Sequence, residues 1–136
     1  MLKSFFVALI AFTVLDFAWL GFVVKDFNMR QLADIGRIES GEFKILYIPA
    51  GLTYLLMAIA VSFFVLPRID ATATWWQTFL LGALMGLIVY GVFDLTNLAI
   101  LKNYPLPFVF ADIAWGCFIF GAVTLIASSI ASVGAA

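Results

Sequence analysis

The chain has 136 residues, 65 % of them hydrophobic and 11 % charged, with a net charge of −1. Ordinary soluble domains hold roughly 45–50 % apolar and about 25 % charged residues, so a soluble fold of this size could not hide the apolar surface. With no basic tail and no Lys/Arg cluster, nucleic acid is not an expected partner.

Lipid is the expected solvent. A spanning helix takes about 20 mostly apolar residues, and the chain supplies four such runs. Backbone groups in hydrocarbon must pair internally, so runs of this length read as helices. The expected fold is all-α: an integral membrane four-helix bundle, one membrane domain over residues 1–136, with short loops and one interfacial helical segment after the first helix. There is no histidine. That removes the commonest metal ligand and general base, and with them any Ser-His-Asp or Cys-His site. The single cysteine, Cys117, lies in an apolar run and reads as a small core residue.

Helix 1 is predicted over residues 4–24. "MLKSFF" has the look of a signal n-region, but the apolar run that follows exceeds the roughly 7–15 residues of an h-region. It also holds Asp16 and Trp19, and no A-x-A site follows, so a retained helix is expected. The long connection "KDFNMRQLADIGRIESGEFK" comes next. Phe27, Leu32, Ile35 and Ile38 recur there at roughly helical spacing among charges. That pattern predicts a short helix on the membrane surface or packed over the end of the bundle.

Helix 2 is predicted over residues 45–66, stopping at Pro67, which cannot comfortably continue a helix. It offers Tyr47, Gly51, Tyr54 and Met57 at helical spacing, with phenols able to donate to a carboxylate. A short loop, "RIDATAT", leads to Trp75 and Trp76 at interfacial depth and to helix 3 over residues 77–101. "KNYPLP" turns the chain into helix 4 over residues 108–130, with Tyr104 suited to the interface. Lys25, Arg30, Arg37, Lys44 and Lys102 lie on the side of loops 1 and 3, against Lys3 and Arg68 on the other. This bias predicts loops 1 and 3 in the cytoplasm.

Five of the eight acids lie in loops; Asp16, Asp94 and Asp112 do not. An acid at the bilayer centre costs about 2.5–3.5 kcal/mol on insertion scales, so the default reading of each is a functional group facing the bundle interior. Asp16 lies about 12 Å from the end of helix 1, Asp94 about 10 Å from the end of helix 3 and Asp112 about 6 Å from the start of helix 4, at 1.5 Å per residue. Those three ends face one side, so the three carboxyls share a leaflet and can converge on one polar pocket.

Their neighbours fit convergence. On helix 3, Gly82, Gly86, Tyr90, Asp94 and Asn97 trace one face, small at one end and polar at the other. "DFAW" (Asp16, Trp19) and "DIAW" (Asp112, Trp115) repeat one device, an acid with an indole one turn on. Thr96 adds a hydroxyl beside Asn97. The candidate ligand- or proton-binding set is Asp16, Trp19, Tyr90, Asp94, Thr96, Asn97, Asp112 and Trp115. Three close acids cannot all ionise in a dry site, which suits proton coupling, cation binding or acid–base chemistry. The competing reading is that the acids hydrogen-bond across helices and lock the bundle. "TVLDFAWLG" and "GVFDLTNLA" align at an offset of 78 residues and fit a two-helix duplication.

"LDFAWLGFVVKDF", "YGVFDLTNLAIL", "KNYPLP" and "DIAWG" resemble the signature of the DUF2177 family of small bacterial membrane proteins. The resemblance spans helix 1 to helix 4. It covers Asp16, Trp19, Lys25, Asp26, Asp94, Thr96, Asn97, Asp112 and Trp115, and departs at Val92-Phe93. It implies a four-helix protein of the bacterial cytoplasmic membrane and no established activity.

Three functions therefore stay open. The first is a module that binds or transports a small or amphiphilic ligand or couples to protons, as a homo-oligomer. The second is a membrane-embedded enzyme using two carboxyls on a lipid. The third is a structural subunit of a larger membrane complex. Membrane lipid is a partner in all three. None names a cofactor or a catalytic residue. No metal site is expected, and a metal in the enzyme reading would be a hard, oxygen-bound ion such as Mg²⁺.

Overall fold

The computed structural model describes residues 1–133, with side chains through residue 130; the last three positions of the expected 1–136 domain lie outside the described residues. Four helical runs are long and apolar enough to cross a membrane. Helix α1 (Leu2–Ala18) passes into a π-helical segment, Trp19–Val23. A short helix α2 (Lys25–Gln31) follows, then strands β1 (Ile38–Glu39) and β2 (Glu42–Phe43). Helix α3 (Tyr47–Ile59) widens into a π segment, Ala60–Val65, and closes in a 3₁₀ turn, Leu66–Arg68. Helices α4 (Trp75–Ile100) and α5 (Leu106–Val133) complete the bundle. The expected helices 1 to 4 are thus α1, α3, α4 and α5, and the all-α membrane bundle is the observed architecture.

The connection after α1 differs from its expected form. Only Phe27 of the four spaced apolar residues lies in α2; Leu32 caps it, Ile35 sits in a turn and Ile38 opens a strand. The reason is turn chemistry. Ser40 (φ 53°) and Gly41 (φ 78°) both adopt the left-handed conformation of a two-residue hairpin turn, and Ile38 pairs with Phe43 across it. Period two therefore prevails over helical spacing. Lys44 bridges Glu39 at 2.7 Å, and Lys25 bridges Glu42 at 3.1 Å, tying the hairpin to itself and to α2. Exposed pairs of this kind contribute about 0–1 kcal/mol each.

Helix α3 also runs past its expected stop. Proline has no N–H, so Pro67 cannot satisfy a carbonyl one turn back. The helix passes through the π segment before Pro67, and the Arg68 guanidinium donates to the Phe64 carbonyl. Helix α4 starts two residues earlier than expected, because Thr74 and Gln77 form a capping box. The Gln77 N–H donates to Thr74 Oγ1 at 3.3 Å, and the Thr74 N–H donates to Gln77 Oε1 at 2.8 Å.

The core lies where α1, α3, α4 and α5 meet, and Phe12, Val61, Ile119, Phe120 and Val123 are fully buried there. Helices α1 and α4 both run antiparallel to α5. Phe12 meets Phe120 edge-on at 4.8 Å. The α4–α5 seam is the closest. A Cβ on Gly86 would overlap the Gly116 carbonyl, and one on Gly82 would overlap Phe120 and Thr124. Lipid offers no hydrophobic drive between helices, so such backbone contact supplies van der Waals association instead.

Candidate functional site

The glycine seam sets the register of the polar residues. With Gly86 against Gly116 and Gly82 against Phe120, Tyr90 falls opposite Asp112 and Asp94 opposite Phe108. Asp94 and Asp112 are therefore one turn apart across the seam. Their carboxyls lie within hydrogen-bonding reach of each other. The Tyr90 ring lies over Gly116, where a side chain would collide with it, and packs edge-on to Phe120 at 6.3 Å. Its hydroxyl stands in the electrostatic reach of Asp16, Asp94, Asp112 and Tyr54.

Asp16 comes from α1 and is 7 % exposed. Tyr54 on α3 donates its phenolic O–H to Oδ2 at 2.8 Å. Trp115 on α5 donates its indole N–H to Oδ1 at 2.8 Å. One carboxyl thus ties three helices together. Trp115 in turn stacks flat on Trp19, with centroids 4.2 Å apart and planes 5° from parallel. The two Asp-x-Ala-Trp devices are not used symmetrically, because Asp16 receives Trp115 while no bond runs from Trp19 to Asp112 among the described residues.

Asp94 is completely buried. Tyr104, in the α4–α5 turn, donates its O–H to Oδ1 at 2.7 Å. Burial, and then this bond, push the Tyr104 phenol above its ordinary value, so it stays a proton donor across the neutral range. Asn97 sits beside the same phenol. Among the described residues, Asp94 Oδ2 has no N–H or hydroxyl partner. The remaining polar neighbour is the Asp112 carboxyl, which can serve as a donor only when it carries a proton.

Of the eight candidate residues, Asp16, Asp94, Asp112, Tyr90 and Trp115 lie together, with Trp19 stacked at the edge and Asn97 reaching in through Tyr104. Thr96 does not join them. It is exposed on the outer face of α4, in a groove with Leu95 and Ile100. Two further residues belong with the cluster, Tyr54 and Tyr104. Tyr54 carried a signal in its helical spacing with Met57. Tyr104 resembled an interfacial anchor, and nothing in its local pattern pointed at Asp94.

A groove of about 610 Å³ opens beside the indole stack, walled by Trp19, Phe27, Ala111, Ala114, Trp115 and Phe118. Ala111 precedes Asp112 in the chain, but neither Asp112 nor Asp94 is part of the groove's lining. Among the described residues, no group of three or more His, Cys, Asp or Glu is arranged to hold a metal ion.

Fold and cluster together define a polytopic helical membrane protein with a carboxyl–phenol–indole network toward one end of the bundle. The chain belongs to the DUF2177 family, whose model is described as a predicted membrane protein and matches residues 1–129. No curated protein and no solved structure matches the chain.

Proposed function

We propose that the protein binds and releases a proton at the Asp94–Asp112 pair while handling a small or amphiphilic ligand in the membrane. The observation that carries this is Asp94 Oδ2, buried and without a hydroxyl or N–H donor, facing a second carboxyl across the α4–α5 seam. Two carboxyls in contact away from water are satisfied when they share one proton. Asp16 plays a different part in this reading. Both of its oxygens are engaged, so it positions Trp115 and Tyr54 around the pair. The apolar groove along Trp19, Trp115 and Ala111 suits the hydrocarbon part of an amphiphile, with its polar end toward Asp112. The setting we propose is the bacterial cytoplasmic membrane, with the α1–α3 and α4–α5 connections inside, from the five-to-two excess of Lys and Arg on that side.

The test is infrared spectroscopy of the whole chain in lipid at pH 7. A protonated-carboxyl band is expected that Asp94→Asn and Asp112→Asn each abolish and Asp70→Asn leaves intact. A spectrum holding carboxylate bands alone would overturn the proposal.

A further inference from the structure

The opposite leaflet holds a second polar feature that the acids do not use. Several hydroxyls on the spanning helices bond back to their own backbone: Thr13 to Leu9, Thr53 to Pro49 and Ser128 to Leu125. Ser62 and Thr124 do not. Ser62 is 1 % exposed and Thr124 0 %. Neither hydroxyl has a hydrogen-bond partner among the described residues. A hydroxyl left so in an apolar interior is unfavourable, because it gives up its hydrogen bonds to water without replacement. Two such groups therefore point to something that satisfies them.

Their position shows how it would arrive. Thr124 Oγ1 lies against Gly82, in space that a side chain there would fill. Gly82 is seven residues into α4, about 10 Å from its start at 1.5 Å per residue. Ser62 lies in the π segment of α3, which packs on both α4 and α5. Above them, on the side of the α3–α4 turn, is a recess of about 400 Å³ bordered by Leu66, Asp70, Trp75, Thr78 and Ser128. Leu66, Thr78 and Ser128 each stand four residues from Ser62, Gly82 and Thr124. The floor of the recess is thus one helical turn, about 6 Å, above the hydroxyls on all three helices.

We propose that Ser62 and Thr124 form a binding site for a small uncharged molecule that both donates and accepts hydrogen bonds, water being the smallest, entered from this recess. The chemistry fixes the class. The site offers two hydroxyls and glycine backbone, with no charged side chain at its depth, so an ion would be poorly compensated. Polar sites of this kind hold water and apolar ones stay dry. Below the hydroxyls, the fully buried Phe12, Ile119, Phe120 and Val61 close the way toward the acids. The site is therefore a blind inlet from one face, and it stands independently of the carboxyl pair.

The test uses the full chain in lipid with Cys117→Ser as background. Ser62→Cys and Thr124→Cys place thiols at the site, and Ala58→Cys places one at a fully buried, apolar position of α3. Iodoacetamide is alkylating only toward a thiolate, which displaces its iodide and needs water contact to form. Both site thiols should react at least tenfold faster than the Ala58→Cys thiol. Equal, slow reaction of all three would overturn the proposal. A second measurement guards against misfolding of these variants. Ser62→Ala and Thr124→Val should each lower the thermal unfolding temperature in detergent, because each strips a partner from the bound molecule. An unchanged or raised temperature in both would count against the site, as expected for removal of unsatisfied groups.

Discussion

Asp16 on α1 and Trp115 on α5, 99 positions apart in the chain, are joined by a buried 2.8 Å hydrogen bond from the indole N–H to the carboxyl. The same indole stacks on Trp19. Trp115→Phe keeps an aromatic face but loses the donor, and interhelical hydrogen bonds in membranes average about 0.6 kcal/mol with a maximum near 1.7. A double-mutant cycle of Trp115→Phe with Asp16→Leu, which removes the acceptor, read by reversible unfolding in mixed detergent, should give a coupling of about 1 kcal/mol. Strict additivity would show that the bond contributes nothing to the bundle.

Gly86 and Gly91 predict opposite outcomes for one substitution. A Cβ at Gly86 meets the Gly116 backbone, which cannot move aside as a side chain can, whereas at Gly91 nothing lies within 4 Å. Gly86→Ala should cost about 1–3 kcal/mol through forced separation of α4 and α5. Gly91→Ala should be neutral or gain up to about 1 kcal/mol from helix propensity. Unfolding of the two variants side by side decides the matter, and equal stability would refute the seam.

Tyr104→Phe tests the closure of the α4–α5 turn over Asp94. Losing the 2.7 Å bond leaves Oδ1 without its donor. Destabilisation of about 1–3 kcal/mol is expected for a buried group left unpaired. Tyr104→Trp, whose indole N–H can also donate, should recover part of the loss if the bond is what matters, whereas a pure packing role would make it no better than Phe.

The turn between α3 and α4 should respond to acid. Asp70 is fully exposed, and its carboxyl is held below its ordinary 3.8 by the Thr72 amide and then by the Thr72 hydroxyl, which donate at 2.8 and 2.7 Å. A depressed carboxyl contributes stability that is present above its unfolded value and is lost as pH falls through the folded one. The Thr72 amide resonance should therefore titrate with a midpoint below 3.8 and stop titrating in Asp70→Asn. A midpoint at or above 3.8 would refute the turn.

Some of the cluster was legible before any contact was known. Helix direction and 1.5 Å per residue put Asp16, Asp94 and Asp112 toward the same side of the membrane, and steps of four placed Gly82, Gly86, Tyr90 and Asp94 on one face. Thr96 shows the limit of that reasoning. It neighbours Asn97 in the chain, yet a helix turns about 100° per residue, and that rotation carries Thr96 to the lipid side. Tyr104 shows a second limit, since its partner is set by how the turn folds back rather than by any periodicity.

Length and apolar content by themselves determined that four helices cross a membrane, because hydrocarbon tolerates no unpaired backbone. Spacing determined which residues share a face. Only the tertiary structure decided which donor meets which carboxyl oxygen. All three acids sit in apolar helical runs, but α1 meets Tyr54 and Trp115 while α4 meets α5 through glycine. Asp16 therefore ends with both oxygens bonded, and Asp94 with one oxygen turned to Asp112. That difference arises from helix rotation and close approach across the seam, which are fixed by packing between residues far apart in the chain.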